Sequence, residues 1–177
     1  TVAQYRQASP VWETILDVDQ LAKNEGANWV YKGVNCLPPE NELCLVELSD
    51  GGKDAARLRE FDIGPKAFVG GGFDIPEAKT SFEWLDRDTL LVATDWGAEG
   101  GQGTLTESGY PFVVKRLKRG QALADAAEVF RGAKENVGTF PMVIDDVTGK
   151  RWFGAVRADT FFTSSFFLFP EGGGAPV

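Results

Sequence analysis

The sequence predicts an all-β fold, and three observations predict it. Apolar runs are short and stop at glycine or proline, where the chain frees φ or lacks a ladder donor. Helix signals are sparse. Strand groups recur: "CLVELSDGG" from Cys44 resembles "LLVATDWG" from Leu90, and "RWFGAVRADT" from Arg151 is a third. "RLREFD" from Arg57 has counterparts in "VVKRLKRG" from Val113 and "FFTSSFFLF" from Phe161. Groups recurring at roughly 40–60 residues suggest a β-propeller of four-stranded antiparallel blades. The count stops at three units, short of the roughly four to eight blades that close a ring, so a partial β-propeller is expected.

Along the chain, "DVDQLAKNEG" has an aspartate cap at Asp17 and a glycine stop at Gly26, enough for one or two helical turns. "NWVYKGVNC" reads as a strand ended by Pro38 and Pro39. "LCLVELS", the turn "DGGKD", "RLREFDI" and "GPKAFV" follow, closed by Gly70 to Gly72. "CLVEL" and "LLVAT" are apolar on both faces, as strands covered on both sides are. "VVKRLKRG" alternates its four cations like the wet face of an outer strand. "QALADAAEVF" puts Leu123, Ala126, Ala127 and Phe130 at helical spacing, and its end fits a strand equally well. The last strand, "TFFTSSFFLF", is apolar on both faces and belongs between other sheets. The blade units expected are 26–72, 76–132 and 137–177.

The 177 residues are 43% hydrophobic and 25% charged, which fits one ordinary globular domain. No apolar stretch reaches the length of a membrane-crossing helix, so no membrane partner is expected. The net charge is −8 and the pI about 4.6. An acidic surface repels phosphate, so nucleic acid is not an expected partner. Histidine is absent, which removes the usual general base of serine and cysteine hydrolases. It also removes every metal site that uses histidine, and two cysteines alone cannot close a zinc tetrahedron. Seven residues separate Cys36 from Cys44 across a hairpin. We expect two buried thiols there, because cross-strand neighbours seldom meet disulfide geometry. The chain starts at Thr1 with no signal-like apolar core, as if cut from something longer or processed. The compartment, cytoplasmic or periplasmic, stays open.

"SFEWLDRDTLLVATDWG" carries Asp86, Asp88 and Asp95, and paired carboxylates are the tools of acid–base hydrolases. A glycosidase pair needs carboxylates from separated strands across one cleft, roughly 5–9.5 Å apart. Asp-Arg-Asp between two antiparallel strands is instead what a tight turn wants. "VIDDVTGKRWFGAV" repeats the arrangement with Asp145, Asp146, Thr148 and Gly149, which argues for a scaffold. Gly97 to Gly109 lacks the spaced glycines and lysine of a phosphate loop, so it is expected as an exposed loop with room for a gating or binding role. "DVDQL" fails as a calcium loop at Leu21, and no G-x-S-x-G elbow occurs. No catalytic, cofactor-binding or metal-ligating residue is assigned, and no cofactor is expected.

"YRQASPVWETILDVDQLAKNEGANWVYKG", "RLREFDIGPKAFVGGGFDIPEAKTSFEWLDRDTLLVATDWG" and "LTESGYPFVVKRLKRG" together resemble the propeller domain of bacterial prolyl oligopeptidase-family serine peptidases. The resemblance runs from about Tyr5 to Phe169. "REFDIGPKAFV" is similar to the family's third-to-fourth strand turn, and "EAKTSFEWLDRDTLLVATD" to the first hairpin of the next blade. It favours "AAEVF" as a strand end.

In that family a seven-bladed propeller caps an α/β-hydrolase domain carrying a Ser-Asp-His triad. The propeller admits only short peptides, which are cleaved after proline. The resemblance therefore implies two and a half to three blades of a gating domain, with the hydrolase domain as its partner and no activity of its own. None of the triad maps onto this chain. Self-association through exposed blade faces is a further expectation. The alternative is a free-standing β-rich module that binds protein or carbohydrate through Trp12, Trp96 and Tyr110, three rings that packing between blades would otherwise occupy.

Overall fold

The computed structural model describes residues 2–7, 9–98 and 103–170. Two helices, α1 (Val2–Tyr5) and α2 (Val18–Glu25), precede the strands. The first sheet holds β1 (Trp29–Cys36), β2 (Leu43–Asp50), β3 (Ala56–Asp62), β4 (Ala67–Phe68) and β5 (Asp74–Ala78). The second holds β6 (Ser81–Asp86), β7 (Thr89–Ala93), β8 (Val113–Lys118) and β9 (Ala127–Arg131). The third holds β10 (Gly138–Asp145), β11 (Arg151–Ala158) and β12 (Ser164–Leu168). Within each sheet the strands follow chain order and pair antiparallel, with β4 and β5 both on β3. The three sheets stack without closing into a ring: the fold is a partial β-propeller. Among the described residues no helix is long and apolar enough to cross a membrane.

The two-faced strands explain the stack. On β7, Leu90 and Val92 enter the core shared with the first sheet, and Leu91 and Ala93 enter the core shared with the third. On β2, Leu45 joins the former core, while Val46 and Leu48 meet Leu16, Val18 and Leu21 of the N-terminal segment. Burying one such leucine is worth about 1.5–3 kcal/mol, so alternate residues of one strand bind it to both neighbours. Asp17 caps α2, its Oδ1 accepting the Gln20 N–H at 2.8 Å. Gly26 ends the helix in the left-handed region at φ 62°, which glycine adopts without a Cβ clash.

Four readings need correction. Cys36 and Cys44 form a disulfide rather than two thiols. They face each other in the β1–β2 register, and the next pair carries the ladder bond, Leu37 N–H to Leu43 O at 2.8 Å. They thus hold a non-hydrogen-bonded position, where facing side chains come closest. The stretch 121–130, by contrast, holds a single 3₁₀ turn, Leu123–Asp125, and ends in the strand β9, as the resemblance favoured. Strand β8 lies inside its sheet, between β7 and β9; of its cations only Lys118 is exposed. Lys115 sits over the Trp96 ring at 4.8 Å and Arg116 over Phe153 at 5.7 Å, so aromatic faces take the place of water.

The loop from Gly97 to Gly109 folds back where it is described. Thr104 and Thr106 are buried. Thr104 Oγ1 accepts the Trp96 N–H at 3.0 Å, and Thr106 Oγ1 donates to Val137 O at 3.1 Å. Residues 99–102 lie outside the described residues. Last, Phe161 and Phe162 belong to a turn before β12, and Phe166 is 65% exposed. Only Phe167 and Phe169 pack inward, against Phe130.

Candidate functional site

The Asp86–Arg87–Asp88 turn connects β6 to β7. Asp86 Oδ1 accepts the Asp88 N–H at 2.8 Å, a side-chain bond that closes the turn. Asp88 Oδ1 accepts from Arg119 Nε at 2.7 Å, and the Asp88 carbonyl takes the Arg119 N–H at 2.9 Å. The same guanidinium donates to the Arg87 carbonyl at 2.5 Å. It then reaches across to the first sheet, with two bonds of 2.6 and 2.9 Å to the Glu60 carboxylate. These bonds raise the Arg119 pKa above its ordinary value.

Glu60 is 2% exposed. On β3 it shares a phase with the buried Ala56 and Leu58, so an acid points where the core is. Its Oε2 also accepts the Phe73 N–H at 2.8 Å. The chain between β4 and β5 wraps this carboxylate closely: a Cβ on Gly72 would lie 2.7 Å from Oε2, which is why only glycine fits there. The result is a charged clamp between the first two sheets. The joint between the second and third sheets repeats the device. Arg151 donates to Asp145 through Nε at 2.7 Å and to Leu85 O on β6 at 3.2 Å. Its guanidinium lowers the Asp145 pKa. Asp146 closes the β10–β11 turn, with the Thr148 hydroxyl and Trp152 Nε1 holding its carboxyl well below the usual range.

Asp86→Asn keeps an acceptor for the Asp88 N–H, and Asp88→Asn removes a largely exposed partner of Arg119. Each is expected to shift unfolding free energy by no more than about 0.5–1.5 kcal/mol, read by guanidinium titration.

A polar cleft of about 320 Å³ lies where the three sheets meet, lined by Asn35, Glu47, Ser81, Glu83 and Phe140 among others. Burial raises the pKa of both glutamates, opposed by Lys32 at Glu47 and by Arg151 at Glu83. This cleft was not foreseen, because its residues come from β1, β2, β6 and β10. Of the three aromatics proposed for binding, Trp96 packs on the core and donates to Val113 O at 3.0 Å. Trp12 is 76% exposed beside Tyr5, and Tyr110 is partly covered by Lys79. Among the described residues, no group of three or more acids or cysteines is placed to hold a metal ion.

Residues 2–147 match the family described as the prolyl oligopeptidase N-terminal beta-propeller domain. The chain is 46% identical over 173 residues to the uncharacterized peptidase y4nA of Sinorhizobium fredii (strain NBRC 101917 / NGR234), covering 97% of this chain and 23% of that protein. It is 32% identical to the uncharacterized peptidase RP174 of Rickettsia prowazekii (strain Madrid E), covering 94% and 24%. A post-proline cleaving enzyme from Rickettsia typhi superposes with a TM-score of 0.84 at 25% identity, over 99% of this chain and 26% of that one. Oligopeptidase B from Leishmania major shares the fold, with a TM-score of 0.62 at 16% identity. The chain thus spans about a quarter of the length of these relatives.

Proposed function

This chain belongs to the family of prolyl oligopeptidase N-terminal β-propeller domains, and from that premise we propose that it is the non-catalytic, gating part of a serine peptidase. The chemistry, cleavage of short peptides after proline, sits in an α/β-hydrolase domain elsewhere in the parent polypeptide. The observation that carries this reading is the match to a peptidase over 97% of this chain but only 23% of that protein. The locked joints support it, since a gate excludes large substrates only if its blades do not part. We divide the chain into blade units of roughly 26–72, 76–132 and 137–177, with β5 joining the first because it pairs with β3. The test is the ratio of kcat/KM for a short Gly-Pro peptide to that for one of roughly 30 residues, measured on the parent. Opening the first joint with Arg119→Ala should lower the ratio. An unchanged ratio, with the joint shown to be loosened, sinks the gating role.

Alone, the chain is expected to self-associate. The face of the first sheet turned away from the second keeps an apolar groove of about 230 Å³ lined by Ile15, Tyr31, Val34 and Phe61 among others. The far edge of β12 has no pairing strand among the described residues, and open edges template further pairing. Sedimentation at several concentrations should show mass rising with concentration; a monomer at tens of micromolar contradicts this.

A further inference from the structure

The turn between β11 and β12 is held rigid by its own side chains. Thr160 Oγ1 accepts the Phe162 and Thr163 N–H groups at 3.2 and 3.1 Å and shares a 2.7 Å bond with Thr163 Oγ1. The Asp159 N–H donates to Thr163 O at 3.0 Å. Below it, Asp159 accepts from Arg157 Nε and Ser165 Oγ, each at 2.5 Å. This braced turn carries Phe161 and Phe162 into solvent, 86% and 90% exposed. Their ring centroids are 5.1 Å apart, edge to face. A turn needs no phenylalanine, and a rigid one that presents two has an unspent hydrophobic face.

We propose that Phe161 and Phe162 form a docking knob for an apolar surface on the remainder of the parent polypeptide; this rests on the reading of the chain as part of a larger peptidase. Area chooses that occupant over a second copy. Two phenylalanines bury at most about 300–500 Å², whereas a stable interface between separate molecules takes about 800 Å² from each partner. A contact of this size holds when the partner is covalently linked, because linkage raises its effective concentration to the millimolar range. The relatives supply such a partner, since about three quarters of their length lies outside the matched segment.

The test is Phe161→Ser with Phe162→Ser, made both in the 177-residue chain and in the full-length polypeptide. In the chain, the thermal midpoint and sedimentation should not change, because the rings touch each other and water. In the full-length polypeptide, limited proteolysis should speed up at least about tenfold, since burying one phenylalanine is worth more than that factor. Phe161→Leu with Phe162→Leu should stay near the wild-type rate. An unchanged proteolysis rate in the full-length Ser variant overturns the proposal. So does a lighter sedimentation profile of the Ser variant chain, which would make a second copy the occupant. If the unsubstituted full-length polypeptide holds no protease-resistant portion beyond this segment, the larger-peptidase reading itself falls, before any variant is compared.

Discussion

Arg119→Ala is expected to lower the unfolding free energy by about 3–5 kcal/mol, the range for removing one partner of a buried ion pair. The Glu60 side chain is wholly inaccessible and Arg119 about one quarter exposed, so the variant leaves a carboxylate in the core that has lost its cation and keeps the Phe73 N–H. An unpaired charge there draws water into the joint, which loosens the first sheet from the second. The remedy identifies the cause. Glu60→Gln combined with Arg119→Met keeps an acceptor for the Phe73 N–H and removes both charges, so it should recover part of the loss. Guanidinium unfolding reads both: the midpoint should fall with the slope unchanged. A loss below about 1 kcal/mol for Arg119→Ala would mean that the clamp is ornamental.

Trp84→Ala is expected to lose about 3–5 kcal/mol. Trp84 is buried in the core between the first two sheets, with its ring edge-on to Phe73 at 5.7 Å. Its Nε1–H donates to Asn35 O on β1 at 3.2 Å. Removal opens a cavity at the joint and frees a carbonyl. Trp84→Phe, which keeps most of the ring, should lose less. Phe73 lies under both side chains, since Arg119 stacks on it at 4.9 Å. The two losses should therefore not add, and the Arg119→Ala/Trp84→Ala double variant should show a coupling of about 0.5–3 kcal/mol. Strict additivity would mean that the clamp and the core act on different joints.

What was legible in the sequence follows from what is local. The two-faced run at Leu90 to Ala93 announced a strand inside a stack. Asp17 and Gly26 announced both ends of α2. Asp86 and Asp88 read correctly as turn residues because a side chain bonding its own backbone needs no distant partner. The clamp was hidden because Glu60 and Arg119 are 59 residues apart; the signal available was an acid in the apolar phase of β3, which requires a cation somewhere. The disulfide depended on register, which spacing alone does not fix. Thr104 and Thr106 carry no apolar pattern, so a hairpin anchored by two buried threonines looked like a wholly exposed loop. Phe161 and Phe162 looked like strand because composition outweighed the threonine bonds that form the turn.

The function proposed above makes this propeller the non-catalytic part of a peptidase whose hydrolase domain lies elsewhere in the parent polypeptide. Histidine, the usual base that activates a serine, is absent from the sequence. The most direct measurement is hydrolysis of a Gly-Pro chromogenic substrate by the purified 177-residue chain and, side by side, by the full-length polypeptide. Cleavage by the full-length polypeptide and none by the chain is expected. Cleavage by the chain that survives a contaminant control would contradict it.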